Sequence, residues 1–298
     1  MDEVKRNEEK IKDILVKRYD LHELHSYVWA YSDELKDLGM EVEDNIKLLN
    51  ATNPNIETIR NSMIPTQLCQ VKTNVGYAPD FGIFEIGRVV TGMTENNLVV
   101  EKKKLAVTLY SKTQDVKTLY FALRDMLAVI ADDVKHTPLT FAASEPAHAF
   151  EHPVNRNTIY MNGTEIGMMG IVHPEVSKKI DKKAAIVFAE LDMQAFGDQK
   201  NASILYAEPS KFPPMDYDLS VVVPKGVLFA DMQACWANEG AGILRGVRIV
   251  DSYDTDVFHS ETMRFEFSSS ERTLSSAEVQ EIMNRIIENL RAINVTLR

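Results

Sequence analysis

Four histidines are the first residues to weigh for chemistry. His152-Pro153 and His173-Pro174 each offer an imidazole. General acid–base work needs that ring within hydrogen-bond reach of a nucleophile or carboxylate. No such partner is set at a matching spacing, so both pairs read as structural histidines at strand ends. His22 and His25 stand three residues apart, but a zinc site needs further ligands and none is in reach. Cys69 and Cys235 are too far apart to suggest a metal or disulfide framework. No Walker-type phosphate loop occurs.

Composition narrows the classes. The chain has 298 residues, enough for two domains, with 45% hydrophobic and 26% charged residues, as in an ordinary globular protein. No apolar run reaches the roughly 18 residues of a membrane span. The charged start, Met1-Asp-Glu-Val-Lys-Arg, lacks an apolar signal core. Cytoplasm, with no membrane partner, is the expectation. The net charge of −11 argues against a simple nucleic-acid binder, which neutralises phosphates with Lys and Arg. From Ile204 to Arg298 there are 9 Lys+Arg and 14 Asp+Glu, so 9 − 14 = −5. Any RNA contact there relies on base recognition or stacking, or phosphate binding lies elsewhere in an assembly.

The elements that position these residues follow from periodicity. Helices are expected over Glu8 to Tyr19, Ile59 to Val71 (Pro65 near its start) and Asp115 to Ala131. Strands are expected over Leu24 to Ala30, Phe81 to Val90, Leu105 to Tyr110 and Ala185 to Asp192. A hairpin turns at Asn162-Gly163 between Asn157–Met161 and Glu165–Val172. Gly197 to Ser203 reads as a linker, reinforced by Pro209, Pro213 and Pro214. The C-terminal part alternates cleanly: strand Leu219 to Val223, helix Phe229 to Ala237, strands Val247 to Tyr253 and Met263 to Phe267. A last helix carries Val279, Ile282, Met283, Ile286, Ile287, Leu290 and Ile293 on one face. Ser275 and Glu278 suit a capping box. Burying seven such side chains contributes on the order of 10 kcal/mol before entropy, so the stripe is core.

Several segments carry a resemblance. Asn53-Pro54 followed by Ile59-Arg60-Asn-Ser-Met-Ile-Pro65, then Phe84-Glu-Ile-Gly-Arg-Val89, then Gly167-Met-Met-Gly-Ile-Val-His-Pro-Glu-Val176 occur in that order. Together with the terminal domain they resemble the C-terminal part of the β subunit of bacterial phenylalanyl-tRNA synthetase. The resemblance implies an α+β chain: a class II synthetase-like antiparallel sheet with flanking helices over 1–196, a linker over 197–211, and a ferredoxin-like βαββαβ anticodon-binding domain over 212–298. It also implies that the first domain is non-catalytic. Class II chemistry holds ATP phosphates with arginines, whose guanidinium gives bidentate contacts. Thr91 stands where the catalytic relative has its phosphate-binding arginine. This reading further expects no Gly-x-Gly-x-x-Arg segment downstream.

Residue roles follow from the same likeness. Arg60 and Pro65 correspond to a subunit-interface region, with an interface role and a core role both open, and Glu85 and Arg88 hold either the sheet or that subunit interface. Ser220, Asp251, Tyr253 and Ser260 correspond to positions that meet the first anticodon base, with Tyr253 stacking on a guanine and Asp251 accepting from its Watson–Crick edge. Three basic family positions are replaced here, by Tyr217, His259 and Ser268. The implied partners are the synthetase α subunit, in an α2β2 hetero-oligomer, and the anticodon of tRNA(Phe). No cofactor or metal is expected on this chain; ATP and Mg²⁺ belong to the α subunit. The modules that precede this part in the family have no counterpart before Met1. The chain is therefore read as the C-terminal portion of such a subunit, or else as a stand-alone non-catalytic paralog acting as an interaction or regulatory protein.

Overall fold

The computed structural model describes residues 3–40, 46–203, 210–240, 242–255 and 258–298. The chain divides into two compact units, Met1–Ile204 and Leu205–Arg298. Pro209, placed in the expected linker, lies outside the described residues.

The first unit begins with helix α1 (Glu3–Tyr19), strands β1 (His22–Glu23) and β2 (Trp29–Ala30), and helix α2 (Ser32–Asp37). A 3-10 turn over Pro54–Ile56 leads to strand β3 (Thr58–Ile59) and helix α3 (Ile64–Asn74). Long strands β4 (Asp80–Met93) and β5 (Val99–Ser111) precede helix α4 (Val116–Lys135). Then come β6 (Leu139–Ala143), β7 (Glu151–Met161), β8 (Thr164–Val172), α5 (Pro174–Ile180), β9 (Ala185–Asp192) and α6 (Met193–Gly197). Seven strands form one sheet in the order β1-β4-β5-β9-β8-β7-β6. Only β1 with β4 is parallel; the other pairs are antiparallel.

Alternation explains the layers, because successive side chains leave opposite faces of a strand. On β5, Leu105, Val107 and Leu109 join one core with Ile11 and Leu15 of α1 and the apolar stripe of α4. Ala106 and Tyr110 join a second core with Leu35 of α2, Leu68 of α3 and Val176 of α5. Asp115 caps α4 by accepting from the amides of Lys117 and Thr118. Asn162 and Gly163 both take positive φ, 51° and 76°, as a tight two-residue hairpin turn requires.

Two expected elements are corrected. Leu24 to Ala30 is not one strand. Leu24 N–H donates to the Phe84 carbonyl and Arg60 N–H to the Val28 carbonyl, while Ser26 turns toward Glu85. With these tertiary bonds, only Trp29–Ala30 of that stretch forms a strand. The helix expected from Ile59 starts at Ile64, after Thr58–Ile59 pairs with β2; Pro65 fits its first turn.

The second unit runs β10 (Met215–Val223), α7 (Phe229–Ala234), β11 (Leu244–Asp254), β12 (His259–Phe267), α8 (Ser276–Ala292), β13 (Thr296–Leu297). The antiparallel sheet order is β11-β12-β10-β13. This is the βαββαβ arrangement. Its core joins Leu219, Val221 and Val223 of β10 and Met263, Phe265 and Phe267 of β12 to Met232, Trp236 and the stripe of α8. Ser275 caps α8 by accepting from Glu278 N–H.

Candidate nucleic-acid interface

The helices cover one face of the second unit's sheet and leave the other open. Register defines that open face. Asp251 of β11 lies opposite Thr262 of β12, which lies opposite Ser220 of β10. The next row is Tyr253, Ser260 and Val222. All four residues expected at a base site therefore fall in two adjacent rows.

A β-bulge makes this placement. Val247 and Ile249 pair with the core residues Phe265 and Met263. Strict alternation would send Asp251 and Tyr253 to that same side. The register shifts between Ile249 and Asp251, and the extra residue turns the following odd positions to the open face. Tyr253 is 52% exposed, and Asp251 is exposed beside it. The Ser220 and Thr262 hydroxyls are 2.8 Å apart. Ser260 departs from expectation: it is 2% exposed, so its hydroxyl does not stand free for a base.

Two neighbours were missed from sequence. Thr262 links Asp251 and Ser220; the alternation of β12 could have found it. Arg298 donates its backbone N–H to the Ser220 carbonyl, and its guanidinium carbon lies 5.8 Å from the Tyr253 ring centroid and 5.9 Å from that of Phe258. No local pattern signals that placement. The three replaced basic positions are occupied otherwise. Tyr217 packs against the core, Ser268 is buried, and His259 sits between Asp254 Oδ1 at 2.6 Å and Glu261 Oε1 at 3.0 Å. Hydrogen bonds that the ring donates to the Glu261 and then the Asp254 carboxylate hold its pKa above the ordinary histidine value.

In the first unit, Glu85, Ala106 and Glu190 share one row across the sheet, on the face carrying α3. Both glutamates are buried, at 3% and 2% exposure. Arg60 Nη2 donates to Glu85 Oε1 at 2.9 Å, Arg60 Nη1 to the Ser26 hydroxyl at 2.5 Å, and Ser26 to Glu85 Oε2 at 2.6 Å. Glu190 accepts from Met63 N–H at 2.7 Å, the Ser62 hydroxyl at 3.0 Å and Lys104 Nζ at 2.6 Å. For Arg60 and Glu85 this geometry favours the core role over the interface role. A pair already enclosed by its own fold presents nothing to a partner; it fastens the 60–63 segment to the sheet. Arg88 is exposed and pairs with Glu101 at 2.8 Å, and Pro65 is half-buried.

The same region tests for nucleotide grip. A cavity of about 620 Å³ is lined by Arg88, Lys102, Lys103, Glu101 and Asp192. Arg88, Lys102 and Lys103 already pair with Glu101, Asp192 and Glu8. A second, of about 320 Å³, holds Arg156 and Lys104. Arg156 donates to the Ser144 and Thr158 hydroxyls, and Lys104 is held by Glu190. Neither cavity brings two arginines together. Thr91 is exposed, its hydroxyl 3.5 Å from the Val100 carbonyl. One expectation is overturned by the chain itself: Gly240-Ala-Gly-Ile-Leu-Arg245 does have the Gly-x-Gly-x-x-Arg spacing. It lies in the second unit, where Arg245 Nε donates to the Ser268 carbonyl, so it supplies no arginine within the first unit's sheet.

The histidines are structural. His152 Nδ1 accepts from the amides of Val154 and Asn155, and His173 Nδ1 caps α5 by accepting from Glu175 N–H. His173 thus sits at the end of β8 and begins α5.

A mostly antiparallel sheet with helices on both faces, joined to a ferredoxin-like module with an aromatic on its open face, defines the class. Residues 1–193 match the family model described as phenylalanyl tRNA synthetase beta chain CLM domain, and residues 210–298 match the ferredoxin-fold anticodon binding domain. The chain belongs to the phenylalanyl-tRNA synthetase beta chain family. It is 27% identical over 282 residues to a phenylalanine–tRNA ligase beta subunit of Bacillus cereus, covering 90% of this chain and 35% of that one. A beta subunit of Campylobacter jejuni is 26% identical over 283 residues, covering 91% and 35%. That of Clostridium tetani is 24% identical over 294 residues, covering 95% and 36%. The chain thus spans about a third of the length of the curated relatives it matches.

Proposed function

We propose that this chain acts in ATP-dependent charging of tRNA with phenylalanine, as the C-terminal portion of a ligase β subunit. Its first unit scaffolds a catalytic α subunit in an α2β2 assembly, and its second contacts the tRNA(Phe) anticodon. The observation that carries this reading is the bulge-directed row of Asp251, Thr262 and Ser220 beside the exposed ring of Tyr253. Recognition of an unstacked loop base needs an aromatic surface and hydrogen-bonding groups, and this face holds both.

ATP and Mg²⁺ act at the α subunit, since the cations lining the two cavities described above are already engaged. The α subunit docks on surface that the first unit leaves apolar. Tyr27, Val28 and Leu49 are exposed around β2 and β3, as are Met93, Leu98 and Val99 around the β4–β5 turn. Arg88 and Pro65 remain candidates for that contact.

The test uses the enzyme assembled with its α subunit. Tyr253→Ala lowers charging while phenylalanine-dependent ATP–pyrophosphate exchange is retained. If both fall together, the residue is structural and the reading fails. Failure to co-purify with the α subunit would favour the stand-alone paralog.

A further inference from the structure

We propose that Arg248 is a phosphate anchor for the RNA strand whose base meets Tyr253, an inference that rests on the anticodon reading above. Residues Ile204 to Arg298 carry 9 − 14 = −5 charges, so attraction to a phosphate chain depends on a few placed cations. Most arginines there are engaged. Arg264 donates from Nε and Nη2 to the two oxygens of Asp218, both at 2.7 Å. Arg272 grips both oxygens of Glu278, and Arg285 bonds Glu239 and Glu281. Arg298 lies over two rings.

Arg248 differs. Like Arg291 on α8, it is exposed and has no hydrogen-bond or ion-pair partner among the described residues, but it alone of the two lies on the open face of the sheet. Its register partner on β12 is Arg264, which lies opposite Asp218 on β10. The row therefore reads Arg, Arg, Asp across the open face. Like charges directly opposite in a sheet repel. Asp218 gives both oxygens to Arg264, and Arg248 reaches it only through space, across the intervening strand. An external anion on this face completes the row.

Position selects the anion. Along β12, Arg264, Thr262 and Ser260 are successive open-face residues, so each row is about 7 Å from the next. Arg248 stands one row below Asp251 and two below Tyr253. A nucleic-acid strand with one base against Tyr253 runs its backbone over such distances within a few nucleotides. A guanidinium suits a phosphate there because it offers bidentate donors. Arg248 then takes over a task that Tyr217, His259 and Ser268 do not perform.

Binding of the full chain to a tRNA(Phe) anticodon stem-loop RNA, measured by fluorescence anisotropy across a salt series, tests this. Arg248→Ala should lower affinity severalfold at low salt and flatten the log–log salt slope by about 0.7–0.9, the share of one phosphate contact. The loss should be equal for a hairpin whose first anticodon base is replaced. Arg248→Lys should keep the slope. Arg291→Ala, an exposed site on α8, should leave it unchanged. An unchanged slope in Arg248→Ala, or an equal flattening in Arg291→Ala, overturns the proposal. If Arg248→Ala flattens the slope while base replacement and Tyr253→Ala change nothing, Arg248 grips a phosphate but not on a strand whose base meets Tyr253, and the base-reading account falls. If only base replacement and Tyr253→Ala matter, the anchor falls alone. No binding by the unaltered chain sinks both.

Discussion

The guanidinium carbon of Arg298 lies 5.8 Å from the ring centroid of Tyr253, within cation–π reach. Arg298 also ties its backbone to Ser220 at 3.0 Å, so one residue joins two of the proposed base-reading positions. Arg298→Ala should weaken stem-loop binding by less than Tyr253→Ala does, because its cation–π contact only holds the ring on which the base stacks. Tyr253→Ala should cost about 1–3 kcal/mol, the worth of one stacked base. The double variant should lose less than the sum, because the two share one contact. Strict additivity would show that Arg298 acts apart from the ring.

A second prediction concerns the buried pair. Arg60 and Glu85 are 2% and 3% exposed and bonded at 2.9 Å. Arg60→Ala leaves a carboxylate enclosed without its counter-charge, which costs about 3–5 kcal/mol. The paired replacement Arg60→Met with Glu85→Leu should recover most of that loss. Chemical denaturation followed by Trp29 fluorescence, in a Trp236→Phe background, reads the first unit. A change under about 0.5 kcal/mol for Arg60→Ala, typical of a surface site, would contradict the enclosed role.

A third prediction concerns pH. Hydrogen bonds to the Glu261 and then the Asp254 carboxylate raise the pKa of His259 above its usual value, so folding favours the protonated ring more than the unfolded chain does. Its contribution is complete below the unfolded pKa of about 6.5 and is lost as pH rises through the higher folded value. An NMR titration should find the His259 ring titrating above about 6.5, and Glu261→Gln should move it down. A ring that titrates at or below its unfolded value would refute the bracing of Asp254 to β12.

Much of the fold was legible because periodicity reports burial. The stripe of α4, the alternation of β10 and β12, and the run of α8 each followed from apolar spacing. The base-reading positions were legible only through likeness to a family, since Asp251 and Tyr253 owe their orientation to a bulge that alternation does not reveal. For Arg60 and Glu85 the sequence left an interface role and a core role both open, because only the fold shows that each satisfies the other inside it. Arg298 was missed because only the closing strand β13 brings it to Tyr253. Leu24 to Ala30 has the residues of a strand, but side-chain and backbone bonds to Glu85, Phe84 and Arg60 bend it.

The central claim is that the first unit keeps a synthetase-like sheet with no paired arginine grip on a triphosphate among its described residues. Phenylalanine-dependent ATP–pyrophosphate exchange by this chain alone tests it most directly. The account predicts no exchange above background at any enzyme concentration, with exchange appearing only when the α subunit is added. Exchange that scales with the amount of this chain alone, and disappears in Arg156→Ala or Arg88→Ala, would contradict it.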